Sequence, residues 1–189
     1  MNQMASVRLR VRGEEGSARA FTVSCYHMPC LFTNSQFMTL HCALAAQHAH
    51  AFAAGSRYIL AGDFNIKPSS PQYHLLTRGA CSSRGDEPEG QEYPGDSWQA
   101  RVAPLVSAYA EKLGREPPFT NCAQGAAMAQ PFCDTLDYIF LSPGWRTRSV
   151  QELPESPSGA GGVCPNKDQP SDHLLLAAHL EQVPVGSQP

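Results

Sequence analysis

The 189-residue chain has no apolar run of about 18 residues, the length that a membrane-spanning helix needs. Its first residues also lack the apolar stretch of a secretion signal. An excess of positive charge is absent as well, since the formal net charge is −3 and the isoelectric point is about 6.1. Without a general basic surface to attract nucleic acid, a phosphate-bearing substrate would have to be held by a few local groups.

The seven cysteines match neither a metal-binding pattern nor a complete set of disulfides. No two of them form a C-x-x-C pair, and their number is odd. These features argue against a zinc ribbon and against a disulfide framework. We therefore predict reduced thiols and an intracellular, cytoplasmic location.

The most informative stretch is an apolar segment that ends in two polar residues. Residues 58–65 read YILAGDFN, and the first four predict a buried strand. After Gly62, Asp63 and Asn65 follow two residues apart and project to the same side of an extended chain. A carboxylate and an amide placed in this way suit a hard cation such as Mg²⁺ and a phosphate that it polarises. An ordinary turn at the end of a strand would explain the same residues.

Alternation of apolar and polar residues predicts a hairpin near the start of the chain. Residues 6–11 alternate as a half-buried strand, with Val7, Leu9 and Val11 on one face. Residues 19–26 return as a second strand, which delivers His27 at its far end.

Two helices are predicted around the strand at residues 58–61. Residues 36–55 carry large apolar side chains at spacings of three and four, among them Leu40, Leu44 and Phe52, which indicates an amphipathic helix. Residues 72–78 predict a short helix, preceded by a serine cap and a proline. A helix followed at once by a strand implies helices layered on a sheet.

The second half of the chain alternates between strands and loops. Residues 135–141 read TLDYIFL and place one acid, Asp137, in an apolar run, where an ionised carboxylate needs a partner. A final strand is predicted over residues 174–180, directly after Asp172 and His173. The segments that predict no regular structure are a flexible insertion at 81–97, an irregular stretch at 116–130 and a loop at 156–169.

The order of these motifs resembles the Mg²⁺-dependent endonuclease/exonuclease/phosphatase superfamily. The motifs are the histidine that ends the hairpin, LAGDFN, LDYIF, and the SDH that precedes the last strand. The resemblance covers residues 5–181 and implies an α/β fold, in which two mainly antiparallel sheets pack face to face and are flanked by helices.

Residues 107–141 are similar to the deadenylase and nocturnin-like branch of that superfamily. They contain SAY, FTN and an aromatic residue, Phe132, five positions before Asp137. Cys133 and Asp134 depart from the branch, which has a basic or small pair after this aromatic residue.

The resemblance implies roles for the residues at the strand ends. Asp63, Asn65 and Asp172 would bind the metal, and Asp63 would also orient the attacking water. His173 would contact the scissile phosphate and would be oriented by Asp137.

Three further residues would contact the substrate. His27 would donate to a non-bridging phosphate oxygen, which stabilises charge in the transition state. Phe132 would stack on a nucleobase, and Asn121 would also bind the substrate. A core position at the entry to a strand would explain Phe132 equally well.

The function implied is that of a phosphodiesterase that uses Mg²⁺, or Mn²⁺, to hydrolyse the 3′ ends of single-stranded RNA. A related phosphodiesterase acting on DNA, a phospholipid or an inositol phosphate is an alternative. A non-catalytic scaffold that only binds partners is another.

The resemblance also predicts that the chain is a partial, C-terminal portion of such a domain. In the superfamily a glutamate at the end of an early strand anchors the metal, whereas here the only acids before His27 are Glu14 and Glu15, in the predicted hairpin turn. We therefore expect exposed apolar faces or unpaired sheet edges, poor solubility, weak Mg²⁺ binding and little activity from these residues alone.

Overall fold

A computed structural model describes residues 3–11, 20–80, 100–125 and 128–184. The predicted insertion at 81–97 and the hairpin turn with Glu14 and Glu15 lie outside the described residues. The strands are β1 Met4–Arg10, β2 Ala20–Tyr26, β3 Arg57–Asp63, β4 Val106–Ser107, β5 Asn121–Ala123, β6 Phe132–Asp134, β7 Asp137–Leu141, β8 Trp145–Val150 and β9 Ala178–Gln182. The helices are α1 Ser35–Ala53, α2 Pro71–Arg78 and α3 Ala108–Leu113, with a 3₁₀ helix at Pro157–Ala160.

Five strands form the main sheet, in the order β1-β2-β3-β7-β4. β2 and β3 run parallel, whereas the other neighbours in this sheet are antiparallel. Parallel neighbours need a long crossover, and α1 supplies it. The predicted α/β fold with mainly antiparallel sheets is confirmed.

Helices α1 and α2 cover one face of the main sheet. Both have the caps that a helix start requires: Asn34 accepts from the N–H of Phe37, and Ser70 accepts from the N–H of Tyr73. The face of α1 that packs inward is rich in alanine, so the helix lies close to the sheet residues Tyr58, Leu60 and Phe140. Leu40, Leu44 and Phe52, three of the side chains on which the predicted apolar stripe was based, are exposed.

The two-stranded sheet of β8 and β9 packs on the other face of the main sheet. Trp145 contacts the ring of Phe21 edge-on, with 5.3 Å between the ring centroids, and Leu180 packs in the same cluster. Arg57 donates to the carbonyls of Gly144 and Val183 and so ties the two sheets together. Sheet therefore faces sheet, with helices outside, as predicted.

The first strand is less buried than the alternation predicted. β1 pairs with β2 along its whole length, but Val7, Leu9 and Val11 are 49%, 41% and 37% exposed. Leu9 stands directly opposite Phe21 and therefore shares its face of the sheet. The β8–β9 sheet packs over Phe21 on this face, whereas the apolar row of β1 remains exposed.

The remaining differences concern short elements. β5 lies in the stretch predicted to be irregular, β8 was not predicted, and the last strand begins at Ala178 rather than at Leu174. Segment 156–169 contains the 3₁₀ helix Pro157–Ala160. Among the described residues, no helix is both long enough and apolar enough to traverse a bilayer.

Candidate active site

The end of β3 is shaped by one glycine. Gly62 has φ +139°, and a Cβ atom placed there would lie 2.1 Å from the carbonyl oxygen of Tyr26. Only glycine tolerates both the backbone conformation and this close approach of β2. The contact brings the end of β2, and with it His27, beside Asp63.

A turn after Gly62 aims the two polar residues. The Asp63 Oδ1 atom accepts the Asn65 N–H at 2.8 Å, and Asn65 adopts a left-handed conformation with φ +51°. The Asn65 amide then donates to the Met28 carbonyl at 2.9 Å and to Asp63 Oδ2 at 3.2 Å. Asp63, Asn65 and the chain after β2 are thus locked together.

Asp63 and Asp137 stand opposite each other on β3 and β7. Their side chains are only 15% and 16% exposed. Burial raises the pKa of Asp63 above its usual value and the charge of Asp137 adds to this, while the hydrogen bond from the Asn65 N–H opposes it. Like charges directly opposite each other on a sheet are unfavourable, so a positive charge nearby would stabilise this pair.

Two histidines approach this pair. His173 Nδ1 is hydrogen-bonded to Asp137 Oδ2 at 2.8 Å, and its Nε2 lies 3.9 Å from Asp63 Oδ2. His27 Nε2 lies 3.4 Å from the same oxygen, and its side chain is 76% exposed. The hydrogen bond to Asp137 raises the pKa of His173, against the effect of burial. A neutral His173 would therefore hold its proton on Nδ1, with Nε2 turned toward Asp63.

Thr120 is a site residue that the sequence did not single out. Its buried hydroxyl donates to Asp137 Oδ2 at 2.7 Å and accepts from the N–H groups of Leu136 and Asp137 at 2.9 and 3.0 Å. Two features of the sequence pointed to Thr120. It belongs to the FTN motif, and the buried carboxylate of Asp137 needs a second hydrogen-bond donor.

Asn121 and Asp172 lie at the margin of the cluster. The Asn121 amide reaches Asp172 Oδ2 at 3.4 Å, and the backbones of Asn121 and His173 form a β-bridge. Of the three predicted metal ligands, Asp63 belongs to the compact group. That group, among the described residues, is Asp63, Asp137 and His173, whose ligand atoms lie within 4.8 Å of one another.

Phe132 lies on β6, in the hairpin formed with β5. It is half-buried, and the hydrophobic cluster beneath the hairpin is built from Phe119, Cys122 and Leu174 without it. Instead, the Lys67 ammonium lies over its ring, 5.2 Å from the centroid. This surrounding differs from that of a core phenylalanine.

The prediction of reduced thiols is wrong for one pair, because Cys122 and Cys133 form a disulfide. They stand directly opposite each other on β5 and β6, with 4.0 Å between their Cα atoms. Nothing in their sequence spacing indicated this register. The other cysteines in the described part of the chain are thiols.

The donors at this site fit a divalent cation. Asp63 and Asp137 are largely withdrawn from water and carry like charges, and carboxylate and amide oxygens are the ligands that hard cations prefer. The chemistry available is polarisation of a phosphate, with imidazole donors beside it.

Comparison with known proteins identifies the family. The sequence model described as the Endonuclease/Exonuclease/phosphatase family matches residues 38–173. The chain belongs to this family.

Several relatives place it in the deadenylase and nocturnin-like branch of the family. It is 39% identical over 126 residues to "Carbon catabolite repressor protein 4 homolog 4" of Arabidopsis thaliana, which covers 65% of this chain and 26% of that protein. It is 30% identical over 124 residues to "CCR4-Not complex 3'-5'-exoribonuclease subunit Ccr4" of Coccidioides immitis, covering 65% of this chain and 16% of that protein. The chain thus spans about a quarter or less of the length of these curated relatives.

Solved structures agree on the fold. The human nocturnin catalytic domain with bound sulfate superimposes with a TM-score of 0.64 at 22% identity, covering 96% of this chain and 53% of that one.

Proposed function

We propose that this chain carries the catalytic residues of a metal-dependent phosphodiesterase that shortens RNA from its 3′ end. The observation that carries the proposal is the convergence of three residues that lie far apart in sequence: Asp63 at the end of β3, Asp137 at the start of β7, and His173 in the segment before β9. Among the relatives of the family, one is named as a 3′-5′ exoribonuclease, which supports RNA as the substrate class.

Asp63, Asn65 and Asp172 are the residues that would hold Mg²⁺ or Mn²⁺. Bound there, the ion would neutralise charge on the scissile phosphate and its transition state. Asp63 Oδ2 is also the atom on which the two histidines converge, so a water hydrogen-bonded to it would lie beside both imidazoles.

Two imidazoles would stabilise the phosphate. Protonated His173, held through Nδ1 by Asp137 and turned with Nε2 toward Asp63, would donate from Nε2 to a phosphate oxygen. His27, which is exposed beside Asp63, would donate to a non-bridging oxygen. Asp137 and Thr120 act through His173 and are positioning residues.

The hydrolysis test uses the natural polypeptide that carries these residues, a 5′-labelled oligo(A) and Mg²⁺. We expect stepwise shortening with release of nucleotide 5′-monophosphates, and loss of this activity in Asp172→Ala and His173→Ala. His48→Ala is the matched control, because His48 is an exposed histidine on α1. A polypeptide that is inert on RNA but hydrolyses DNA, a phospholipid head group or an inositol phosphate would refute the substrate assignment.

A scaffold that only binds partners is the second candidate, and the exposed apolar row of β1 favours it. Metal binding separates the two candidates. Titration with Mn²⁺ followed by electron paramagnetic resonance should detect binding that Asp63→Ala removes. Absence of Mn²⁺ binding at millimolar concentration would favour the scaffold.

A further inference from the structure

We propose that Lys67 is a substrate-binding residue, whose ammonium contacts a backbone phosphate of the RNA strand next to a base stacked on Phe132. The inference rests on the proposed RNA hydrolysis and adds a specific cation to it.

The backbone presents Lys67 rigidly. Its neighbour Ile66 is buried, and the Ile66 carbonyl accepts the hydroxyl of Tyr138 at 2.8 Å. The Lys67 carbonyl accepts the N–H of Ser70 at 2.9 Å, at the start of α2. The side chain itself is 52% exposed and begins two residues after Asn65. A fixed backbone with an exposed cation beside the catalytic turn is suited to bind a ligand rather than to support the core.

The ammonium of Lys67 lies between an acid and an aromatic ring. Its Nζ is 2.6 Å from Asp134 Oδ2 and 5.2 Å from the centroid of the Phe132 ring. One face of that ring is therefore taken by the cation. A base that stacks on Phe132 would use the other face, and the proposed contact is between Lys67 and a phosphate that flanks this base.

The charge balance of the site favours the same role. Asp63, Asp137 and Asp172 surround the place where an anionic strand has to bind, and Asp134 on β6 adds a fourth carboxylate. An ion pair whose lysine is half exposed contributes little to folding. Lys67 can therefore exchange Asp134 for a phosphate oxygen, and Asp134 holds it in place until then.

The test measures how the binding of a fluorescein-labelled oligo(A) depends on salt. Anisotropy titrations are made over a series of KCl concentrations, with every protein carrying His173→Ala so that the RNA is not cut. Removal of one phosphate contact makes the slope of log affinity against log salt shallower by about 0.7. We expect this change, and an affinity lowered about 3- to 10-fold, for Lys67→Gln.

Asp134→Asn separates a binding role from a structural one. It frees the ammonium, so affinity should equal or exceed that of the parent protein, with the same salt slope. Arg148→Gln is the charge-matched control: Arg148 is 50% exposed, is paired with Glu181, and lies on β8. It should change neither quantity.

A purely structural ion pair predicts a different pattern. Lys67→Gln and Asp134→Asn would then lower affinity to the same extent and leave the salt slope unchanged, which would overturn the inference. Thermal unfolding of both variants shows whether such a common loss comes from stability. If the parent protein binds RNA and Lys67→Gln binds it with the same affinity and salt slope, this inference alone is refuted. If the parent protein binds no RNA, the proposed function is refuted as well.

Discussion

The two ends of β3 use polar groups in opposite ways. At its start, Arg57 donates to the carbonyls of Gly144 and Val183 at 2.9 and 2.8 Å, and each donor meets a neutral acceptor. At its end, the carboxylates of Asp63 and Asp137 face each other as like charges. The first arrangement stabilises the junction of the sheets. The second brings like charges together, which is unfavourable unless positive charge lies nearby.

Asp137→Asn tests the Asp63 end of β3 most directly. The amide keeps the shape of the side chain but disturbs the proton arrangement of His173, so we expect turnover to fall about 10³-fold, or about 4 kcal/mol. Removal of one of two opposed charges should leave the free energy of unfolding unchanged or higher. Metal binding should be mostly retained, as measured by Mn²⁺ titration. Equal loss of metal binding and turnover would instead make Asp137 a metal ligand.

Gly62→Ala should break the geometry of this end altogether. The new methyl group would overlap the Tyr26 carbonyl, and the positive φ adds strain, for a combined cost of about 3 kcal/mol in the free energy of unfolding. Urea denaturation measures this. Gly55→Ala is the control, because Gly55 also has a positive φ but no atom within 4 Å of the added Cβ, so its cost should be about 1 kcal/mol. Equal costs would contradict the steric explanation.

Arg57→Gln tests the other end of β3, where Arg57 joins the two sheets. Loss of the two charge-assisted hydrogen bonds to backbone carbonyls should cost about 2 kcal/mol of unfolding free energy. Because the Arg57 end of β3 lies away from Asp63, Mn²⁺ affinity should not change. A variant that loses metal binding at unchanged stability would show that the two ends are coupled.

Glu116→Gln should have the smallest effect. It tests whether burying the ionised Glu116 carboxylate lowers the free energy of unfolding. The Glu116 carboxylate accepts the Tyr73 hydroxyl at 2.7 Å, and burial raises its pKa above 4.5 in spite of its hydrogen bonds from Ser107 and Tyr73. Glu116 therefore contributes its full stabilisation when the pH is below its pKa in the unfolded chain. This stabilisation is lost as the pH rises through its higher pKa in the folded chain.

The glutamine variant lacks this titration. Relative to the parent, Glu116→Gln should gain stability as the pH rises above about 4.5, by less than about 1 kcal/mol at neutral pH. Urea denaturation over a pH series measures the difference. A constant difference across the series would mean that Glu116 does not titrate as the structure indicates.

Helix α1 shows how far periodicity alone could predict packing. Its length and position were predicted well, but both of its faces carry apolar residues, and the stripe of larger side chains was taken as the core face. The alanine face packs instead, because small side chains allow the helix to lie close to Leu60 and Phe140 on the sheet. β1 shows the converse: its alternation is correct, while its burial depends on how far the β8–β9 sheet extends.

By itself, the sequence determined the features that depend on neighbouring residues: the strand that ends at Asp63, the glycine at position 62, the cap of α2 and the order of the motifs that identify the family. The tertiary structure alone decided which distant segments meet. It set Asp63 opposite Asp137, joined Cys122 to Cys133, brought the Thr120 hydroxyl to Asp137 and placed Lys67 over Phe132. The physical reason is that turn and strand preferences act locally, whereas strand register depends on the packing of the whole sheet.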